Sequence, residues 1–207
     1  MPMFITFEGC EGSGKSTQAS ILFQRMTREG YKAVLTHEPG GTSLGEEITR
    51  LLKWAKYDQI CPLSELLLFN ASRAELINSV IRPSLNRGQM VICDRYTDST
   101  VAYQGFGRGL SLACVKTVNS LGSQGLNPNF TILLDMPVRT GQYRKRKQEA
   151  DRFEQEKEVF HQKVRDGYLH LAKETPSRWL VIDADQSQEQ IADTIWNHLK
   201  SYFDRFT

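Results

Sequence analysis

Phe4-Ile5-Thr6-Phe7-Glu8-Gly9-Cys10-Glu11-Gly12-Ser13-Gly14-Lys15-Ser16-Thr17 is the stretch from which the fold is read. Phe4 to Phe7 is a short run of β-branched and aromatic residues, as in a buried strand. Gly9 to Ser16 matches G-x-x-x-x-G-K-S, and a helical pattern follows. Strand, glycine-rich loop and helix in that order form a phosphate-binding P-loop. The glycines let the backbone curl so that successive N–H groups aim at phosphate oxygens, and the next helix turns its positive end to the same anion. On this reading Gly9, Gly12, Ser13, Gly14 and Thr17 cradle the phosphates of a nucleotide. Lys15 reaches the β/γ-phosphates, and the Ser16 hydroxyl binds Mg²⁺.

Outward from this loop, strand-like and helix-like segments alternate. Strands are expected at Phe4–Phe7, Ala33–Thr36, Met90–Cys93, Phe130–Leu134 and Trp179–Ile182. Helices are expected from Lys15 to about Glu29, over about Gly45–Trp54, from Leu63 to about Asn86 with a kink at Pro83, over Ser111–Gly122, around Val138–Gln148, from about Phe153 to Glu174, and over Gln188–Phe203. Alternation of this kind predicts an α/β fold in three layers, with a five-stranded parallel sheet flanked by helices. Ligands gather at the carboxyl ends of such strands, which here carry Glu8, His37, Asp94, Asp135 and Asp183. The 207 residues suit a single domain. With 26 basic against 24 acidic residues the net charge is +2, so no global field draws the chain onto nucleic acid. The four cysteines are far apart in sequence and read as reduced thiols. No apolar run approaches membrane-spanning length and no signal-like segment precedes the first strand, so the expected location is cytoplasmic, away from membranes.

Other constellations add chemistry. Asp94 and Arg95 end the third strand, where an acid can hold Mg²⁺ and a guanidinium can grip a second phosphate. Ser16, Asp94 and Glu8 form the candidate metal set. The segment Tyr96 to Gly109 packs hydroxyls, an amide and aromatics as densely as a polar planar ligand needs; the plainer reading is a solvated turn. Phe69 and Arg73 lie four apart on one helix and share a face, so a ring and a guanidinium could meet a base together. Alone, Phe69 reads as a core residue. Arg144-Lys145-Arg146-Lys147, followed by Asp151-Arg152-Phe153-Glu154, is the densest basic run. It reads either as a solvated helix face or as a lid over about 141–153 that brings positive charge to a migrating phosphoryl group. The variable P-loop positions, Cys10 to Ser13, contain no arginine, so charge beyond Lys15 and Mg²⁺ must come from elsewhere.

At this point the chain resembles the thymidylate kinases along nearly its whole length. The resemblance is carried by Phe7-Glu8-Gly9 with the P-loop, by Glu38-Pro39-Gly40-Gly41, and by Phe69 with Arg73. Its most specific part is Asp94-Arg95-Tyr96 with Ser99, Thr100, Ala102-Tyr103-Gln104-Gly105 and Gly107-Arg108-Gly109, and Asp151-Arg152-Phe153-Glu154 supports it. The resemblance implies a homodimeric enzyme that uses ATP and Mg²⁺ to convert dTMP to dTDP on the way to dTTP. It implies an acceptor site of Glu11, Glu38, Pro39, Phe69, Arg73, Arg95, Ser99, Thr100, Tyr103 and Gln104. Within it Phe69 would stack on thymine, Arg73 would bond a ring carbonyl, and Thr100 would meet the N3 side. Arg95 would hold the acceptor phosphate, Glu11 would contact the 3′-hydroxyl, and Tyr103 would crowd the 2′ position. Arg144 would lie on adenine. Lys15, Arg95, Glu11 and Arg146 form the implied catalytic set, with Lys147 and Arg152 as alternatives to Arg146 for the lid cation. His37 stands where relatives often carry arginine.

Two further classes remain. One is a kinase of a different monophosphate or of a small alcohol. The other is a GTPase-type switch, which would normally show a guanine-reading N-K-x-D that is missing here. A nucleic-acid-dependent motor would want a more basic surface.

Overall fold

A computed structural model describes residues 2–54, 60–145 and 150–203. Five strands, β1 (Phe4–Glu8), β2 (Ala33–His37), β3 (Met90–Asp94), β4 (Phe130–Asp135) and β5 (Trp179–Asp183), form one sheet in the order β2-β3-β1-β4-β5. Every pairing is parallel. This is the expected three-layer α/β architecture, and each strand runs one residue past its expected end.

Side chains of β1 alternate between two cores, because successive strand residues face opposite sides. Ile5 and Phe7 pack with Ala19, Leu22 and Met26 of α1 (Lys15–Arg28) and with Ile191, Ile195 and Leu199 of α9 (Gln188–Phe203). Phe4 faces the other way, onto Leu76, Ile77 and Tyr96. Thr6 shares that second face and meets Thr131 of β4 hydroxyl to hydroxyl at 2.9 Å. Glu8 therefore points away from α1, which decides its role below.

α2 (Ser43–Trp54) and α3 (Pro62–Leu76) pack side by side, with Pro62 in the first turn of α3, where its missing N–H costs nothing. The expected kink at Pro83 takes a specific form. A π-helical stretch, Ile77–Ile81, widens the helix before α4 (Arg82–Asn86), and the Arg82 N–H reaches back to Ile77 O. The widened turn puts Pro83 in the first turn of a fresh helix instead of mid-helix, where it would orphan a carbonyl.

One alternative reading is excluded and one boundary is corrected. Thr97 to Gly107 is not a solvated turn: α5 (Thr97–Thr100) runs into a second π-helical stretch, Val101–Gly107, which is largely buried. Its packing is tight enough that a Cβ on Gly107 would come within 2.6 Å of the Phe160 ring. The helix expected from Phe153 begins at Glu158, as α8 (Glu158–Glu174). Asp151 Oδ1 accepts from the N–H groups of Phe153 and Glu154, at 2.9 and 3.0 Å, and holds these residues in a separate turn. α6 (Leu112–Ser123) and α7 (Val138–Lys145) complete the layers, and the rest of the helix expected to Gln148 lies outside the described residues.

Candidate active site

Strand register aligns Phe7 of β1 and His37 of β2 with Asp94 of β3, so the P-loop, the Glu38–Gly41 turn and the Asp94-Arg95 pair open on one crevice. The P-loop borders a solvent-open cavity of about 1740 Å³ lined by Gly12, Gly14, Lys15, Ser16 and Thr17. Gly12 has φ 75°, and a Cβ there would sit 2.2 Å from Gly141 O, so the loop packs directly on α7. Lys15 donates to Cys10 O at 2.8 Å, the donor's resting place before phosphate arrives. Burial and the nearby Arg95 lower its pKa, and Glu11 and Asp94 oppose that shift.

Ser16 Oγ donates to Asp94 Oδ2, and Asp94 Oδ1 is buried with no hydrogen-bond partner among the described residues. Hard oxygen donors at the phosphate cavity suit Mg²⁺, which takes one or two protein carboxylates and completes its shell with phosphates and water. Glu8 does not join them. It is fully buried, and its oxygens accept from Tyr96 N (2.8 Å), Ser99 Oγ (2.6 Å) and Tyr168 OH (3.0 Å) on the far face of β1. Burial, with Asp98 adding to it, pushes its carboxyl up to about 7. Its place is beneath Arg95, and the metal set contracts to Ser16 and Asp94.

Arg95 has φ 70°, an unfavourable backbone region for a side chain with a Cβ, of the kind that accumulates at functional sites. Its guanidinium is held on all sides. Nη1 donates to Gly9 O (3.2 Å), Ser99 Oγ (3.2 Å) and Tyr168 OH (3.1 Å), and Nη2 donates to Glu11 and Tyr103 OH. Burial alone would raise the Glu11 carboxyl; Arg95, Lys15 and Lys145 outweigh it and hold the group well below the usual range. Ser99, expected against the acceptor, lines the neighbouring cavity and also links Glu8 to Arg95. Tyr168 was missed by sequence reasoning, because a tyrosine in the middle of α8 carries no local signal.

Beside Arg95 lies a narrower cavity of about 500 Å³, the size of an ordinary small-ligand pocket. The Phe69 and Phe153 rings touch in a tilted pair, 5.7 Å centroid to centroid, and form one aromatic wall of it. Arg73, fully buried, forms the floor. Its Nε and Nη2 bond Glu38 Oε2 at 2.9 and 2.7 Å, while Nη1 donates to Asn70, Thr100 and Asn119. Breaking such a buried pair by removing one partner costs about 3–5 kcal/mol. Burial raises the Glu38 carboxyl and Arg73 opposes that shift. One Nη2 hydrogen is left over from these bonds. Gln104 Nε2 donates to Glu65 at 2.7 Å, which turns Oε1 away, and Oε1 is buried with no partner among the described residues. Thr100 and Pro39 also line this cavity, and Tyr103 closes it toward Glu11. The pocket lining thus combines aromatic rings with the buried guanidinium of Arg73 and the buried amide of Gln104. Phe153, named only within a family motif, turns out to be a wall.

The basic run divides. Arg144 donates to Ala184 O (3.0 Å) and Asp185 (3.1 Å) and borders the P-loop cavity on the β5 side. Lys145 reaches Glu11 Oε2 at 3.5 Å and pairs with Glu154. Arg152 turns elsewhere: Nε donates to Leu52 O at 3.0 Å and Nη2 lies 2.7 Å from Glu65. Arg146 and Lys147 lie outside the described residues. Lys53, which no sequence reading selected, borders both cavities.

A nucleotide-phosphate cradle joined to a small base-shaped pocket suits transfer between two nucleotides, and comparison with known proteins points the same way. The thymidylate kinase family model matches residues 7–195. A thymidylate kinase of Dehalococcoides mccartyi is 55% identical over 195 residues, 94% of each chain. One from a Synechococcus strain is 49% identical, covering 96% of this chain and 95% of its own. The crystal structure of thymidylate kinase from Ehrlichia chaffeensis superposes with a TM-score of 0.79 at 36% identity, covering 96% of this chain and 98% of that one. By motif, architecture and likeness over almost all of its length, the chain belongs to the thymidylate kinase family.

Proposed function

We propose that this protein transfers the γ-phosphoryl group of ATP to the 5′-phosphate of dTMP, giving ADP and dTDP, one phosphorylation short of dTTP. The observation that carries this is the lining of the smaller cavity, where Phe69, Arg73, Thr100 and Gln104 meet beside Arg95. A thymine presents a carbonyl beside an N3–H, a pair that the Arg73 guanidinium and the Gln104 amide oxygen can match as donor and acceptor. Cytosine inverts both groups. Phe69 covers a ring face, and Thr100 borders the N3 side.

On this reading Arg95 holds the acceptor phosphate, and the Glu8, Ser99 and Tyr168 network fixes its direction. Burial and Glu8 push the Tyr168 phenol well up, so it remains a hydrogen donor. Glu11 and Tyr103 meet the sugar, Glu11 at the 3′-hydroxyl and Tyr103 against any 2′-hydroxyl. Glu38 and Pro39 frame the pocket mouth. On the donor side the Gly9–Thr17 loop takes the ATP phosphates, Lys15 leaves Cys10 O for them, and Arg144 flanks the adenine. Ser16 and Asp94 would hold Mg²⁺, which when bound neutralises charge on the migrating group. The chain acts as one domain, with a lid over about 141–153.

The acceptor test is nucleoside diphosphate formation from a panel of monophosphates. The expected order is dTMP best, dUMP weaker by roughly 10–200-fold for the missing methyl group, and AMP inert. Equal kcat/KM across dTMP, CMP and AMP would overturn the assignment.

We further propose a homodimer built on α3. Leu63 and Leu67 lie one turn apart and exposed, with Trp54 of α2 and Leu121 of α6 also exposed on the helices packed against it. Exposed apolar side chains on neighbouring helices suit burial against a second copy of the chain. Sedimentation at micromolar concentration should give a dimer; a fully active monomer would refute it. No helix among the described residues is long and apolar enough to cross a membrane.

A further inference from the structure

A nucleoside monophosphate with its base beside Phe69 in the smaller cavity must carry its phosphate from there into the P-loop cavity. Among the described residues, two cations border both spaces: Arg95 and Lys53. Arg95 is already paired with Glu11, so together they bring no net charge to an ester that carries about −1.5 to −2 at neutral pH. Lys53 is differently placed. Its Nζ lies 3.4 Å from Asp151 Oδ2, one loose contact, and its side chain is 36% exposed. Its backbone is fixed, since Lys53 O accepts from Arg152 N at 3.3 Å and the preceding Leu52 O accepts from Arg152 Nε. The stem is anchored and the ammonium can move. Asp151 can release it without losing its own turn, because the caps on Phe153 and Glu154 use the other oxygen, Oδ1.

We infer that Lys53 is a ligand of the acceptor phosphate, exchanging Asp151 for that phosphate when the monophosphate binds. The inference rests on the acceptor reading above and goes beyond it by assigning the second cation. Neither the P-loop motif nor the Asp94–Gly109 block includes Lys53. On this assignment the residue recognises the ester and ignores the base.

The test compares dTMP with thymidine, which has the same base and sugar and no phosphate, by calorimetric titration of the full-length wild type, Lys53→Met and Lys53→Arg. Lys53→Met should weaken dTMP binding by about tenfold or more, as loss of a charge-assisted bond does, and leave thymidine within about twofold. Lys53→Arg should recover most of the dTMP affinity. Lys53→Gln, shorter and polar, should repeat the Met result if the Met variant folds poorly. Unchanged dTMP affinity in Lys53→Met, or equal losses for dTMP and thymidine, would overturn the assignment; equal losses would mean that Lys53 only braces Asp151. Wild type that binds dTMP no better than dGMP would overturn the acceptor reading itself, and this inference with it.

Discussion

Lys15→Ala is expected to lower kcat by at least about 10³-fold, on the order of 4 kcal/mol in the barrier, while the fold persists. Structure separates the two effects. In the resting enzyme Lys15 makes one hydrogen bond, to Cys10 O, and its removal should cost only about 1 kcal/mol of stability. In the reaction it must neutralise charge on a phosphoryl group whose transition state spreads negative charge over three oxygens. Steady-state rates with both substrates saturating, beside thermal unfolding, check both halves. Retention of more than a few per cent of wild-type kcat would contradict the P-loop reading; loss of cooperative unfolding would show that Lys15 has a structural role.

The second large effect is expected in the lid. The P-loop holds no arginine, and Arg95 faces the acceptor and is tied to Glu11. Arg152, one of three candidate lid cations, is committed to Leu52 O and Glu65. Arg144 is tied to Ala184 O and Asp185. Lys145, the last residue of α7, turns toward Glu11. Arg146→Ala should therefore lower kcat by about 10²-fold with little change in the KM for dTMP, the pattern of a contact made in the transition state alone. Arg152→Ala should act mainly through stability, because it leaves buried Glu65 with one cation fewer. If Arg146→Ala and Lys147→Ala each lower kcat by less than about threefold, the lid is a solvated basic helix end.

How much was legible beforehand depended on the range of the interaction. The P-loop, the five strands and the face shared by Phe69 and Arg73 follow from local pattern, and these hold. Boundaries moved where a side chain far from the pattern intervened: Asp151 delays α8 by capping Phe153 and Glu154. Thr97 to Gly107 could be a loop or a helix by composition; packing against α8 makes it helical and buried. Glu8 looked like a metal ligand because strand ends collect acids at such sites. Alternation along β1 instead sends it to the opposite face, where Tyr168, 160 positions away, completes its shell. Arg95 could be picked out by residue type, but the buried network that aims it could not, since Glu8, Ser99 and Tyr168 meet only after the sheet forms.

The central claim is that the base pocket reads a thymine-like edge through Arg73 and Gln104. Its most direct test is the ratio of kcat/KM for dTMP over dCMP, measured on wild type under the same ATP and Mg²⁺. These two acceptors share sugar and phosphate and differ at the edge the pocket reads and at the 5-methyl group, whose share the ratio for dTMP over dUMP measures separately. A site whose buried polar groups face mismatched partners rejects a ligand by about 10³-fold or more. A ratio of that size is expected. A ratio within about tenfold, with dTMP turned over efficiently, would contradict the account, because the Gln104 amide oxygen and the Arg73 guanidinium would then not be reading the base.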